Sequence, residues 1–188
     1  KPSILSEGGK TFVSFQASNK ESLALGSASQ LDFGSVQDFS YVVIYKTDVV
    51  ANGYETALLS KRNSSNGYQL YLRNTSAGAP LDDANTFIGS YDDNRKYFAT
   101  STESNHKDDQ LHIVSATFDR DGNNVIYLNG DKRSEVGIGL IGDSSSSYPL
   151  EIGHELYTAK STQYFYDGEI AEVLMFDRVL SDLEHAKI

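Results

Sequence analysis

A short tract with the residue types of a sugar site lies near the middle of the chain, at residues 89–98 (GSYDDNRKYF). Sugar sites pair an aromatic platform with side chains that hydrogen-bond to hydroxyl groups, and binding residues concentrate on loops held by a rigid scaffold. The tract therefore predicts a ligand-binding loop, and a solvated hairpin tip is the alternative that the same residues allow. The candidate binding residues are Tyr91, Asp92, Asp93, Asn94, Arg95 and Tyr97.

A second candidate is the segment at residues 68–73 (YQLYLR), where apolar side chains alternate with Gln69, Tyr71 and Arg73. Alternation with a period of two places these three residues on one face of a strand, opposite the core. A polar sheet face with Tyr and Arg suits an extended ligand chain, and plain exposure to solvent explains it equally. The residues that would join this face if their strands lie beside it are Ser115, Thr117 and Tyr127.

A third cluster surrounds a predicted loop near the end of the chain and ranks behind the first two. It contains residues 154–157 (HELY) together with Tyr164 and Tyr166.

Calcium is the metal ion that the acidic loops would suit, since hard cations bind several oxygens from nearby carboxylates and carbonyls. The candidate ligands are Asp82, Asp83, Asp92 and Asp93, which could form one site if their two loops meet. The sequence DRDGNN at residues 119–124 resembles a calcium loop only in part, because it lacks the distal bidentate Glu. A tight hairpin turn accounts for it better.

Composition narrows the classes of partner. The formal charge of the 188 residues is −10 and the pI is about 4.7, which disfavours nucleic acid and anionic membranes. A neutral ligand or a cation fits this balance, although many acidic domains are acidic only for solubility. No apolar run approaches the roughly 20 residues that span a bilayer. Because the chain begins with Lys, we expect a processed chain or a module of a longer protein. The chain contains no Cys, so disulfides do not indicate its compartment.

The elements that position these residues are predicted to be strands. Runs rich in Val, Ile, Tyr and Phe alternate with Gly, Asn, Asp and Ser clusters, a pattern typical of an all-β domain. The clearest predicted strands are at residues 39–46, 56–61, 68–73, 111–119, 125–129, 150–152 and 169–176, and weaker ones are at 11–15, 31–33, 86–90 and 97–100.

Three local patterns refine this prediction. The strands at 39–46 and 169–176 are apolar on both faces, which predicts central positions in a sheet. The Asp-Gly and Asn residues at 119–124 predict an antiparallel hairpin. Ser181 followed by Glu184 predicts a capping box that opens a short terminal helix.

Several longer segments occur in a familiar order: QLDFGSVQDFSYVVIYKTD, LLSKRNSSNGYQLYLR, DQLHIVSATFDRDGNNVIYLNGDKRSE and PLEIGHELYTAKSTQYFYDGEIAEVLMFDRVLSDLE. Together they resemble the laminin G-like, concanavalin A-like jelly-roll superfamily, including its pentraxin-related members. The resemblance covers roughly residues 10–185. It implies one antiparallel two-sheet β-sandwich over residues 1–188 with a short C-terminal helix. The family commonly has Trp where Ile44 and Leu111 stand.

The same fold hosts polysaccharide hydrolases and lyases, but no catalytic constellation is visible. Retaining hydrolases need two carboxylates about 5–5.5 Å apart on one face, whereas Glu172 and Asp177 fall on opposite faces of their strand. RSEV at 133–136 and QLH at 110–112 resemble motifs of alginate-lyase-like enzymes in reversed order, and we interpret them as coincidence. The four His residues are far apart in sequence without metal-ligand spacing.

We therefore expect a non-catalytic carbohydrate-binding or adhesion module of a larger secreted or cell-surface protein, assisted by calcium. Its expected partners are a polysaccharide or glycan and a cell-surface protein, without nucleic acid or membrane insertion. The alternative is a protein–protein interaction or structural spacer domain without a glycan site. A polysaccharide lyase or glycoside hydrolase is a third class. The absence of Trp favours the spacer, and the 12 Tyr partly offset this.

Overall fold

The chain forms a sandwich of two antiparallel β-sheets in a computed structural model. The structure describes residues 1–26, 28–47, 55–63, 66–73, 83–90, 95–102, 106, 108–156 and 164–188. The strand order is β1-β2-β13-β4-β9-β10-β11 in the seven-stranded sheet and β3-β12-β5-β6-β7-β8 in the six-stranded sheet. This arrangement confirms the predicted jelly-roll sandwich.

The strands of the seven-stranded sheet are β1 (Ser3–Glu7), β2 (Lys10–Phe15), β13 (Gly168–Phe176), β4 (Phe39–Lys46), β9 (His112–Phe118), β10 (Asn123–Leu128) and β11 (Asp131–Gly137). Those of the six-stranded sheet are β3 (Leu23–Ala24), β12 (Glu151–Ile152), β5 (Glu55–Arg62), β6 (Gly67–Arg73), β7 (Asp83–Ser90) and β8 (Arg95–Thr102). A single short helix in the described residues, α1 (Asp182–His185), follows β13. It is not long and apolar enough to cross a membrane.

The two strands predicted to be central are central. β13 lies between β2 and β4, and β4 lies between β13 and β9. The predicted hairpin is also present, since β9 and β10 pair antiparallel with Phe118 opposite Asn124. One predicted strand is wrong, because Ser29–Leu31 forms a 3-10 turn in which the amide of Asp32 donates to the carbonyl of Ser29.

Aromatic rings fill the space between the sheets. Phe39 stacks between Phe33 and Phe118, with ring centroids 4.2 Å and 4.3 Å away. Tyr41 crosses from the seven-stranded sheet and donates its hydroxyl to the carbonyl of Gln69, 3.1 Å away. Because this carbonyl belongs to β6, the contact fixes that strand relative to the opposite sheet.

The predicted capping box is present at the start of α1. The Ser181 hydroxyl accepts from the amide of Glu184, and the Glu184 carboxylate accepts from the amide of Ser181. The helix holds His185 against the outside of the seven-stranded sheet, where its side chain is buried.

Candidate functional site

The outer face of the six-stranded sheet carries a row of paired residues. Ser60 of β5 lies opposite Glu151 of β12 on one side and opposite Gln69 of β6 on the other, and Gln69 lies opposite Phe87 of β7. Directly opposed residues share a face. Gln69 alternates with Tyr68 and Leu70, which belong to the core, so this row faces away from the core.

Polar side chains from three separate segments meet on this face. We call them the outer-face cluster, which consists of Ser60, Arg62, Gln69, Glu151, His154 and Glu155. β5 supplies the first two, β6 supplies Gln69, and the segment that begins with β12 supplies the last three. Gly67 permits the close approach of β5 and β6, since a Cβ at its φ of +116° would overlap the Lys61 carbonyl oxygen.

One part of the outer-face cluster is a hydrogen-bonded set. Gln69 donates from Nε2 to Glu155 Oε2 at 2.9 Å and accepts at Oε1 from Arg62 Nη1 at 2.9 Å. Arg62 Nε also lies 3.7 Å from Glu155 Oε1, and its guanidinium lies 3.9 Å from the centre of the Phe87 ring. The guanidinium is therefore held by a carboxylate, an amide and an aromatic face at once.

The other part contains buried polar atoms without hydrogen bonds. Ser60 Oγ, Glu151 Oε2 and His154 Nε2 have no hydrogen-bond partner in the described part of the chain. Ser60, Glu151 and His154 are only 2%, 6% and 3% exposed. His154 Nδ1 lies 3.5 Å from Glu151 Oε2, within ion-pair reach but without hydrogen-bond geometry, and the imidazole stacks on Phe165 at 3.9 Å.

These three atoms match the hydrogen-bonding capacity of hydroxyl groups. A serine hydroxyl donates and accepts, a carboxylate oxygen accepts, and an imidazole nitrogen does either according to its tautomer. Each buried polar atom left unbonded costs roughly 1–3 kcal/mol. A ligand that carries several adjacent hydroxyl groups would recover this free energy.

The structure modifies the second sequence candidate. Gln69 and Tyr71 are 2% and 3% exposed, so plain exposure does not explain their polar side chains. Burial raises the pKa of the Tyr71 hydroxyl, and the Glu55 carboxylate raises it further. Arg73, at the end of β6, is exposed. The open face for an extended chain is therefore absent at Gln69 and Tyr71, and a ligand role for the three residues stays a prediction.

The residues expected to join Gln69 lie on the other sheet instead. Ser115 and Thr117 belong to β9 and Tyr127 to β10, and all three face the C-terminal helix. His185 Nδ1 is 2.7 Å from Ser115 Oγ, its Nε2 is 2.9 Å from Thr117 Oγ1, and its ring stacks on Tyr127 at 3.8 Å. Sequence alternation gave the correct face of each strand but could not assign the strands to sheets.

The residues of the third candidate cluster, near the end of the chain, lie in different parts of the structure. His154 and Glu155 join Gln69 in the outer-face cluster. Tyr166 lies in the core with no exposed surface and donates to the Lys46 carbonyl at 2.7 Å. Tyr157 lies outside the described residues.

The predicted binding loop connects β7 and β8, which pair antiparallel with Ser90 opposite Arg95. The backbones of Arg95 and Tyr97 belong to β8. Tyr91, Asp92, Asp93 and Asn94 lie outside the described residues. The binding role of this tract stays a prediction.

Of the predicted calcium ligands, the structure describes only Asp83, whose backbone begins β7. Asp82, Asp92 and Asp93 lie outside the described residues. Within the described ranges no three His, Asp or Glu side chains are arranged to hold a metal ion. The calcium site stays a prediction.

Ser60, His154 and Glu151 have the residue types of a hydrolase triad, a combination that sequence reasoning missed. Nucleophilic catalysis requires a serine hydroxyl bonded to the imidazole and accessible to substrate. Ser60 Oγ and His154 Nε2 form no such bond. In the described residues this trio is therefore not an assembled nucleophile.

The structure also shows clefts on the outside of the seven-stranded sheet. One, of about 450 Å³, lies where Lys46 Nζ bridges Glu7 at 2.8 Å and Asp109 at 3.3 Å. A neighbouring cleft of about 480 Å³ is lined in part by Ile44 and Leu111, the positions where the resemblance leads one to expect Trp. No sequence motif marked these clefts, because their residues come from segments far apart in the chain.

Solved structures with this fold include toxin binding domains. The binding domain of Paraclostridial Mosquitocidal Protein 1 has a TM-score of 0.80 at 11% identity, covering 99% of this chain and 44% of that chain. The binding domain of botulinum neurotoxin serotype G has a TM-score of 0.78 at 13% identity, covering 100% and 44%. The chain thus spans less than half the length of these domains.

A third similar structure is CBM40 of the Ruminococcus gnavus IT-sialidase, bound to α2,3-sialyllactose. Its TM-score is 0.63 at 16% identity, covering 100% of this chain and 95% of that chain. Identities at this level establish the fold alone. A search of curated proteins found no match. The sequence profile of the concanavalin A-like lectin/glucanases superfamily matches residues 13–184, and the chain belongs to this family.

Proposed function

We propose that this chain is a non-catalytic glycan-binding module of a secreted or cell-surface protein. The observation that carries the proposal is the outer-face cluster, in which Ser60, Glu151 and His154 present buried polar atoms that form no hydrogen bond with the described part of the chain. These atoms lie side by side on a sheet face and match the donors and acceptors of a sugar.

A contribution to stability does not explain why the outer-face cluster contains buried polar side chains. Replacing a buried polar network by apolar side chains of similar volume is often neutral or stabilising. Native proteins leave few buried polar atoms unbonded, and each exception calls for an explanation. A ligand that completes the hydrogen bonds of Ser60, Glu151 and His154 is such an explanation.

Structures with the same fold support the proposal. One is CBM40 of the R. gnavus sialidase, bound to α2,3-sialyllactose, and another is the botulinum neurotoxin DC binding domain in complex with SialylT. A third is described by the interaction of botulinum neurotoxin type C with two ganglioside molecules. Extending glycan recognition to this chain is part of the proposal.

Burial sets a condition on binding. Because Ser60, Glu151 and His154 are almost inaccessible, a ligand reaches them only after the side chains that bury them move apart. Binding coupled to such a change lowers the association rate below the usual 10⁵–10⁷ M⁻¹s⁻¹. The proposed loop residues Tyr91, Asp92, Asp93, Asn94, Arg95 and Tyr97, and calcium held by the predicted acidic ligands, would add contacts outside the cluster.

The test is retention of the whole chain on a broad glycan array, repeated with Ser60→Ala. Ser60 Oγ has no hydrogen-bond partner among the described residues, so this substitution should leave the free energy of unfolding unchanged or slightly raised. Loss of one hydrogen bond to the ligand should weaken glycan binding about tenfold.

Ser40→Ala is the matched control. Ser40 Oγ is also buried, but it donates to the Arg178 carbonyl at 2.9 Å and accepts from the Leu180 amide at 3.0 Å on the other sheet. This variant should be destabilised and should bind glycan like the wild type. Failure of the wild type to bind any glycan on the array, or equal binding by Ser60→Ala, would refute the proposal.

A further inference from the structure

We infer that the outer-face cluster selects neutral glycans over sialylated or otherwise anionic ones. This inference rests on the proposed glycan-binding function and names the class of ligand. It follows from the charges around the unbonded atoms and from the contacts of the guanidinium in the cluster.

The outer-face cluster contains two carboxylates, those of Glu151 and Glu155, and one guanidinium, that of Arg62. Glu151 and Glu155 are 6% and 3% exposed, and both carboxylates lie on the face where the ligand would bind. Glu151 Oε2 is itself one of the atoms without a hydrogen bond. An anionic ligand group placed at this atom would meet a carboxylate in a poorly hydrated site, where like charges repel strongly.

The guanidinium of Arg62 is already engaged. It donates from Nη1 to Gln69 Oε1 at 2.9 Å and from Nε to the Asn63 carbonyl at 3.1 Å, and it faces Glu155 at 3.7 Å. Its plane also contacts the Phe87 ring. Recognition of a ligand carboxylate by Arg usually takes two parallel hydrogen bonds. Arg62 would have to bind a ligand carboxylate beside the partners that it already holds, Gln69, Asn63 and Glu155.

The remaining groups suit hydroxyls. A sugar hydroxyl donates to Glu151 Oε2 and accepts from Ser60 Oγ or His154 Nε2, so one ligand group can satisfy two protein atoms. The acidity of the chain, with a formal charge of −10, adds long-range repulsion of anionic ligands.

The experiment compares neutral glycans with anionic counterparts. Neutral and sulfated forms of the array hits differ only in the sulfate group, and lactose is compared with 3′-sialyllactose, which adds one sialic acid residue. Dissociation constants are measured on the whole chain by calorimetry at low and high salt. We expect each neutral member to bind at least tenfold more tightly than its anionic counterpart. We also expect salt to change the affinity for the neutral member little.

Two variants separate the effect of charge from that of shape. Glu151→Gln keeps the side-chain size and removes the negative charge, so the neutral-to-anionic ratio should fall several-fold. Glu135→Gln removes the same charge from an exposed position on β11, paired with Lys132 at 2.7 Å, and should leave the ratio unchanged.

The possible results test the preference for neutral glycans separately from the proposed glycan-binding function. Tighter binding of the sialylated or sulfated members would overturn the charge inference and leave glycan binding standing. An unchanged ratio in Glu151→Gln would also overturn it. Binding of no member of any pair would refute the proposed function itself.

Discussion

All four histidines of the chain are buried, and two of them have a lowered pKa. Burial, with the neighbouring His112 imidazole as the second cause, lowers the pKa of His106 to about 4. Burial also lowers the pKa of His185 to about 4. His106 accepts or donates at Nδ1 with the Tyr45 hydroxyl at 2.7 Å, and His185 bonds to two hydroxyls of β9. Both rings are thus buried and hydrogen-bonded, His185 beneath α1 on the outside of its sheet, and their lowered pKa favours the neutral imidazole.

The lowered pKa values of His106 and His185 predict that acid lowers the stability of the fold. The ordinary His pKa is about 6.5, so between about pH 6.5 and 4 the unfolded chain binds more protons than the folded chain. The free energy of unfolding should be highest above pH 6.5 and should fall as the pH is lowered. Each of the two histidines should contribute a loss of roughly 3 kcal/mol once the pH is below its pKa in the folded chain. Urea unfolding from pH 7.5 to 4.5 measures this.

His106→Gln isolates one of the two groups. This variant cannot bind the proton, so its stability should fall less steeply with decreasing pH than that of the wild type. The lowered pKa of Glu184, about 2, acts only below about pH 4.5 and leaves this window to the histidines. Equal slopes for wild type and variant would contradict the assignment.

Sequence reasoning identified the outer-face residues only in part. The alternation in residues 68–73 placed Gln69 and Tyr71 opposite the core, and the structure agrees. Their burial was not predictable, because the segment that meets Gln69 contributes Glu155 from 86 positions along the chain. The three titratable residues in EIGHE, at 151–155, are the one local signal that could have drawn attention to Glu151.

Among the elements, the strands that sequence reasoning missed are edge strands. β1 and β11 are the two edges of the seven-stranded sheet, and β3 is one edge of the six-stranded sheet. Every residue of β1 and most residues of β11 are exposed. An edge strand contributes little to the core, so its sequence lacks the apolar alternation from which strands are predicted.

The helix α1 was predicted because its signal is local. Ser181 and Glu184 satisfy each other's backbone amides, and Arg178 reinforces Glu184 at 2.7 Å. Replacing Ser181 with Ala removes the cap and should lower the free energy of unfolding by about 0.5–2 kcal/mol. The control is Leu183→Ala on the same helix, where the side chain is 64% exposed and truncation should cost little.

Amide hydrogen exchange measures the local stability of α1 directly. In Ser181→Ala the amides of α1 should exchange faster, while those of the six-stranded sheet keep their protection. Glycan binding should not change, because α1 packs on the opposite sheet. Equal stability of the two variants would show that the cap does not hold the helix.

For the whole molecule, the sandwich was predictable from the order of its motifs, and the proposed function rests on a polar sheet face that was not. Motif order predicted the family, which the profile match over residues 13–184 confirms. Local sequence does not specify which segments meet outside the core. The Ser60–Glu151 pairing and the Gln69–Glu155 bond join segments more than 80 positions apart.

The proposed glycan site is the outer face of the six-stranded sheet. The most direct measurement is chemical-shift mapping by NMR of the isotope-labelled chain, titrated with the tightest glycan of the array. We predict that the largest changes fall on the amides of Ser60, Gln69 and Glu151 and on the His154 imidazole. Changes confined to Ile44, Leu111 and the other residues lining the clefts on the seven-stranded sheet would contradict the account.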